Sequence, residues 1–62
     1  MSNSGNIPRL LSLREVADML GVSIRTVRRF IDNGDLVAHR IGGQLRVAPA
    51  DLEVFLKIRR QR

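Results

Sequence analysis

The sequence of 62 residues has no cysteine, tryptophan or tyrosine, and only one histidine. A disulfide framework is therefore excluded, and a structural zinc site, which takes four cysteine or histidine ligands, is not expected. No apolar run approaches the roughly 20 residues needed to cross a bilayer, and the first residues are polar rather than signal-like. We expect a soluble cytoplasmic protein with no cofactor, no bound metal and no membrane contact.

The sequence also lacks the residue groupings that catalysis requires. It shows no nucleophile beside a base, no acid cluster and no phosphate-binding glycine loop, so we expect no catalytic residue and no enzyme. The single histidine, His39, is either a pH-sensitive contact or, more commonly for a lone histidine in a strand, a partly exposed packing residue. So short a chain buries only about 60% of its unfolded surface, which limits it to one small domain.

The charge is strongly positive, with a net value of +5 and a pI near 11.6. Residues 1–36 carry five arginines against four acids, whereas residues 37–62 carry six basic residues against two acids. This excess points to a polyanionic partner, first of all nucleic acid, with a membrane surface or an acidic protein as alternatives.

Two short helices with a tight turn between them are predicted from residue 12 to residue 34. Ser12 and Glu15 match a capping box that starts the first helix, whose apolar face holds Leu13, Val16, Ala17 and Leu20. Gly21 ends this helix, Val22 fills the gap between the helices, and Ser23 caps the second one. So short a connection forces a steep crossing, which is the helix-turn-helix arrangement.

The second helix, from Ile24 to about Asn33, carries three arginines on its outward side. Its apolar stripe consists of Ile24, Val27, Phe30 and Ile31, and opposite it lie Arg25, Arg28 and Arg29. Asp32 is the only acid that lies four residues from one of these arginines, and that arginine is Arg28. A solvated charged face is the plain alternative, but such faces usually mix signs, so we favour contact with a DNA groove.

After Gly34 the periodicity changes from helical to alternating. Residues 37–41 and 44–47 read as two strands joined by Gly42 and Gly43, which suit the positive φ angles of a primed hairpin turn. Pro49 begins a third helix, whose Leu52, Phe55 and Leu56 are expected to close the core. Val54 and Ile58 fall outside that face and are either exposed aliphatics or contacts with a second copy. We expect a domain over residues 10–58, a flexible tail over 1–9 and a basic tail over 59–62.

The stretch from Leu11 to Leu56 resembles the excisionase-type branch of the MerR-like winged helix-turn-helix domains. The matching pieces stand in the family's order and spacing: L-G-V-S at 20–23, R-T-V at 25–27, R-I-G-G-x-x-R at 40–46 and D-L-E-V-F-L at 51–56. The resemblance implies a mainly α fold with a small β-hairpin, in which the second helix enters the major groove and the hairpin, or wing, reaches the minor groove. Gln44 departs from the pattern, because that position is often basic.

The resulting DNA-binding residues are ten. In the second helix and its cap they are Ser23, Arg25, Thr26, Arg28 and Arg29; in the wing they are Arg40, Gly42, Gly43, Gln44 and Arg46. If six phosphates are neutralised, the log-log salt dependence of affinity has a slope of about −5.

Three hypotheses follow. The first is an architectural double-stranded-DNA-binding factor of the excisionase type, a recombination directionality factor that binds repeated sites cooperatively with further copies of itself and works with an integrase. A small MerR-like transcription regulator without an effector domain is the alternative, and no small-molecule effector is expected in either case. The second is an enzyme, which the missing catalytic groupings argue against, and the third is a basic protein-interaction module.

Overall fold

The computed structural model describes residues 9–60. Its elements, in chain order, are β1 (Leu11–Ser12), α1 (Leu13–Leu20), α2 (Ile24–Asp32), β2 (His39–Ile41), β3 (Gln44–Val47) and α3 (Pro49–Arg60). This is the predicted winged helix-turn-helix: a mainly α domain with a small hairpin. The part of the chain that the structure describes contains no helix long and apolar enough to span a membrane.

The start of α1 is the predicted capping box. The backbone N–H of Glu15 donates to Ser12 Oγ over 3.1 Å, and the backbone N–H of Ser12 donates to Glu15 Oε1 over 2.8 Å. Gly21 ends the helix in the left-handed conformation at φ 72°, as its position predicted. These two signals fix α1 because they satisfy backbone groups that a helix end otherwise leaves without partners.

Helix α2 begins three residues after Gly21, at Ile24, and ends at Asp32. Its N-cap is Ser23, whose Oγ accepts from the backbone N–H of Thr26 over 3.1 Å. The predicted end, about Asn33, is therefore correct to within one residue. Val27 is fully buried at the centre of the inward face, so the opposite face of the helix is directed to solvent.

The sheet has three strands rather than the two predicted, in the order β1-β3-β2. The additional strand is β1, which pairs antiparallel with β3 so that Leu11 lies opposite Val47. This pairing ties the segment before α1 to the wing. The predicted primed turn is confirmed, since Gly42 and Gly43 have φ values of 58° and 84°.

The core is small and aliphatic, with two phenylalanine rings at one side. Its buried members are Val16, Ala17, Val27, Leu36, Val47, Leu52 and Phe55. Two predictions about packing were wrong: Leu56 is 39% exposed, and Val22 is 37% exposed rather than enclosed between the helices. The buried face of α3 is narrower than the spacing of its apolar residues suggests, so it includes Leu52 and Phe55 but not Leu56. The turn between α1 and α2 leaves Val22 at the surface. Val54 and Ile58 are exposed, in line with their position off the inward face.

Helix α3 continues to Arg60, two residues beyond the predicted domain boundary at residue 58. Arg59, which the sequence placed in a basic tail, lies in this helix with its guanidinium carbon 4.9 Å from the ring centroids of both Phe30 and Phe55. The guanidinium also donates to Asp35 Oδ2 over 3.2 Å. Its charge is therefore engaged within the fold. Residues 1–8 of the predicted N-terminal tail and residues 61–62 of the predicted basic tail lie outside the described residues.

Candidate nucleic-acid interface

Three arginines of α2 form one exposed surface, which we call the arginine ridge: Arg25, Arg28 and Arg29. They surround a shallow recess of about 410 Å³, whose lining also includes Thr26 and Asp32. The ridge is held outward because the opposite side of α2 is anchored by Val27 in the core. The four predicted residues that belong to α2 are thus brought together on one face.

Ser23 and Thr26 stand at the N-terminal end of this surface and are already engaged with each other. Ser23 Oγ lies 3.0 Å from Thr26 Oγ1, and it also accepts from the backbone N–H of Thr26. The two hydroxyls therefore fix the first turn of α2, and any external hydrogen bond they make is additional to this role.

The wing carries the second group of predicted residues, but the sheet divides them. The register places Arg40 opposite Leu45 and His39 opposite Arg46. Since successive side chains of a strand point to opposite faces, Arg40 and Arg46 lie on different faces of the hairpin. The sequence placed both beside the tip without showing this separation.

Arg46 is largely occupied by its own strand. Its guanidinium donates to Gln44 Oε1 over 2.6 Å and to the Leu45 carbonyl oxygen over 3.3 Å. It is half-buried, whereas Arg40 and Gln44 are exposed. Arg46 thereby orients the Gln44 amide at the tip of the wing.

A cleft of about 350 Å³ separates α2 from the wing and brings residues of both together. Its lining residues are Leu13, Arg28, Arg40, Gly43, Gln44, Leu45 and Arg46. Arg28 thus belongs to both the ridge and the cleft. Leu13 and Leu45, which sequence reasoning did not assign to the site, supply the apolar lining. In the sequence, only the apolar character of these two leucines could have pointed to them, and Leu45 also lies between the predicted DNA-binding residues Gln44 and Arg46.

The acidic side chains make their ion pairs away from the ridge. Among the side chains of residues 9–59 the ion pairs are Arg9 with Glu15 at 2.9 Å, Arg59 with Asp35 at 3.2 Å, and His39 with Asp51 at 3.4 Å. No carboxylate in this range pairs with a ridge arginine or with Arg40, and Asp32 does not form the i,i+4 pair with Arg28 that its spacing allowed. The ridge and the cleft therefore keep an uncompensated positive charge that favours an anionic partner.

On the other side of the wing, the positive charges of Arg9 and Arg46 act on the carboxylate of Glu15. Its pKa is lowered, chiefly because its carboxylate accepts the hydrogen bond from the Ser12 backbone N–H, with further contributions from the charges of Arg9 and Arg46. The capping carboxylate is therefore held in its charged form. Arg46 acts on this group as well as on Gln44, so its charge is engaged within the protein although it also lines the cleft.

His39 lies on the wing face that is turned toward the start of α3, where its Nε2 is 3.4 Å from Asp51 Oδ2. It is exposed and has one polar partner. The two sequence interpretations, a pH-sensitive contact and a packing residue, both stay predictions. The described part of the chain contains no group of three histidine, cysteine or acidic side chains arranged to hold a metal ion.

Comparison with known proteins agrees with this architecture. Residues 10–60 match the family described as "Helix-turn-helix domain". The chain is 42% identical over 52 residues to a protein named Excisionase from Mycobacterium phage D29, an alignment that covers 82% of this chain and 93% of the phage protein. It is 44% identical over 52 residues to uncharacterized proteins of Mycobacterium tuberculosis and Mycobacterium bovis, with 84% of this chain covered. The chain spans only 46% of the length of these two relatives. No solved structure gives a significant match.

The chain therefore belongs to the helix-turn-helix domain family, in its excisionase-type branch. This membership, together with the wing and the exposed ridge, indicates a DNA-binding role.

Proposed function

We propose that this chain is a sequence-specific double-stranded-DNA-binding protein that acts architecturally in site-specific recombination, as a recombination directionality factor. The observation that supports it most is the arginine ridge beside an open wing, with no carboxylate pairing to the ridge among residues 9–60. The phage relative named Excisionase, 93% of which is covered by the alignment, supports the recombination setting. Such a protein works in the cytoplasm, bound to the nucleoid.

In this function α2 lies in the major groove and the wing reaches the adjacent minor groove. Arg25 and Arg29 are one helical turn apart, and their forked guanidinium groups suit the O6 and N7 acceptors of guanine. Ser23 and Thr26, with hydroxyls at the start of α2, contact the DNA backbone and set the position of the helix. Gly42 and Gly43 keep the tip of the wing slim, and Gln44 offers its amide to the minor groove.

One copy is too small to give high specificity by itself. A single DNA-binding module of this kind buries about 600–1,000 Å² of protein surface, which limits its affinity. We therefore expect several copies to bind repeated sites side by side and cooperatively. Copies bound in phase bend the DNA, and in that form they assist a partner integrase.

Sequence-specific binding is tested by selecting duplexes from a randomised library with the full chain and then measuring gel shifts at two salt concentrations. We expect R25A/R29A to lose the preference for the selected duplex over a scrambled one, because these side chains face the bases. The matched control is K57A, which removes an exposed charge from α3 and should leave the preference intact. Selection that enriches no sequence, or an R25A/R29A variant with unchanged preference, would contradict the proposal.

The architectural role needs a second experiment on duplexes that carry one, two or three copies of the selected site. We expect binding to two or three sites to be cooperative, and circular-permutation gels to show a bend that grows with the number of copies. Independent occupancy of unbent DNA would instead favour the transcription regulator without an effector domain.

A further inference from the structure

The cleft between α2 and the wing has a composition that the readout of bases does not explain. Leu13 and Leu45 are half-buried and give it an apolar lining, while Arg28 enters from α2 and Arg40 from β2. A third lining arginine, Arg46, is bound to Gln44 and to the Leu45 carbonyl oxygen. The volume of the cleft is about 350 Å³. No aspartate or glutamate is among its lining residues.

We propose that Arg28 and Arg40 together hold one backbone phosphodiester of duplex DNA in this cleft, an assignment that rests on the proposed DNA-binding function. The clamp sets the depth of α2 in one groove and the reach of the wing into the next, because it fixes the strand of DNA backbone that runs between them. Arg25 and Arg29 are then left to face the bases.

Charge is the first argument for the clamp. Neither Arg28 nor Arg40 has a salt bridge or a side-chain hydrogen bond to any part of the chain that the structure describes, residues 9–60. Two guanidinium groups that line one cleft repel each other unless an anion lies between them. A phosphodiester presents two anionic oxygens and can accept charge-assisted hydrogen bonds from both groups at once.

The backbone of the wing supplies the second argument. Gly43 lines the cleft with φ at 84°, and no heavy atom outside residues 42–44 lies within 4 Å of the position that a Cβ would occupy there. A phosphate can therefore approach the main chain closely at this point. Arg40 lies on the same face of the hairpin as Leu45, whereas Arg46 lies on the other face. Arg46 also lines the cleft, but its guanidinium is already engaged by Gln44 and the Leu45 carbonyl oxygen. Arg40 is therefore the wing arginine that is available to a phosphate.

The position of Arg28 around α2 supplies the third. At about 100° per residue, Arg28 is displaced by about 60° from Arg25 and by about 100° from Arg29, whereas Arg25 and Arg29 are only about 40° apart. Arg28 is also the one ridge arginine that lines the cleft. It therefore stands at the edge of the ridge next to the wing, where the DNA backbone passes.

The test uses the selected duplex in a series of probes, each with a single phosphate replaced by an uncharged methylphosphonate. Binding of the full chain is measured by fluorescence anisotropy. We expect the wild-type protein to lose about tenfold in affinity or more at one linkage, as for a hydrogen bond to a charged group. R28Q and R40Q should each show such a loss on the unmodified duplex and no further loss at that same linkage. K57Q should behave as the wild type.

The possible results separate the clamp from the function on which it rests. If R28Q and R40Q become insensitive at different linkages, or remain sensitive at every linkage, the clamp is wrong while DNA binding stands. If the wild-type protein prefers no duplex, the proposed function fails and the clamp fails with it. Both variants should keep the wild-type ranking of DNA sequences, and a changed ranking would assign these arginines to base readout instead. Circular dichroism confirms that the variants are folded.

Discussion

At the level of single residues, Leu36 and Leu56 show how burial determines the contribution of a side chain to stability. The two side chains are identical, but Leu36 is 2% exposed and Leu56 is 39% exposed. We expect L36A to lower the free energy of unfolding by about 2–5 kcal/mol, because it removes buried methyl groups and leaves a cavity. L56A should lower it by less than about 1 kcal/mol. Urea denaturation of the two variants measures both values, and equal losses would show that Leu56 packs as the sequence suggested.

The wrong prediction for Leu56 has a physical reason. An i, i+3, i+4 pattern shows which side of α3 faces the core, but not how many residues wide that buried face is. Leu52 and Phe55 occupy that face, and Arg59, one turn beyond Phe55, covers the rings of Phe55 and Phe30 with its guanidinium. Sequence reasoning placed Leu56 in the core and Arg59 in a basic tail, because an arginine at the end of a basic run normally lies in solvent.

The capping carboxylate of Glu15 should give a pH-dependent stability. Its pKa is lower in the folded protein than the ordinary value of 4.5, so its contribution is fully present above pH 4.5 and is lost as the pH falls through the lowered folded value. E15Q keeps a side chain that suits the capping box but carries no charge. We expect the wild type to be more stable than E15Q at pH 7 and the difference to shrink below pH 4.5.

Urea denaturation of the wild type and E15Q between pH 2.5 and pH 7 checks this prediction. E53Q is the matched control, since Glu53 is an exposed acid of α3 outside the ion pairs found among the side chains of residues 9–59. A stability difference for E15Q that does not change with pH would show that the charge of Glu15 does not support the cap.

At the level of elements, the features that the sequence predicted well are those with local causes. Capping residues fixed the starts of α1 and α2, and two adjacent glycines fixed the turn of the wing. Strand β1 was missed because two residues cannot show an alternating pattern, and because its partner, Val47 opposite Leu11, lies far away in the chain. The separation of Arg40 and Arg46 was missed for a related reason: it depends on the register of the hairpin rather than on spacing from the tip.

The N-cap of α2 allows helix stability and DNA binding to be separated. Ser23 Oγ accepts the backbone N–H of Thr26, so S23A should cost about 1 kcal/mol of stability. Aspartate is an equally good N-cap, so S23D should keep the stability of the wild type. It also places a negative charge beside the arginine ridge, and we expect it to weaken duplex binding.

Thermal denaturation and gel shifts on S23A and S23D provide the two readouts. The expected pattern is a less stable S23A and a stable S23D that binds DNA poorly. An S23D variant that binds duplex DNA as tightly as the wild type would place the start of α2 away from the DNA.

At the level of the whole molecule, the fold sorts its charges into two groups. The net charge of +5 pointed to a polyanionic partner, but composition alone did not show which arginines are available. Arg46 and Arg59 are engaged by groups of the protein itself, whereas the ridge and Arg40 have no ion-pair partner within residues 9–60. The ridge was therefore predictable from helical periodicity. The engagement of Arg46 and Arg59 was not, because the partner of Arg59 comes from another part of the chain and that of Arg46 depends on the conformation of the strand.

The central claim is that the ridge and Arg40 form the surface that contacts DNA. The most direct measurement follows the Nε–Hε resonances of the arginines in isotopically labelled protein while the selected duplex is added. We expect the resonances of Arg25, Arg28, Arg29 and Arg40 to shift and to saturate together, while that of Arg59 stays in place. If those four resonances are unmoved at saturating duplex, or if only Arg59 responds, this surface is not the one that binds DNA.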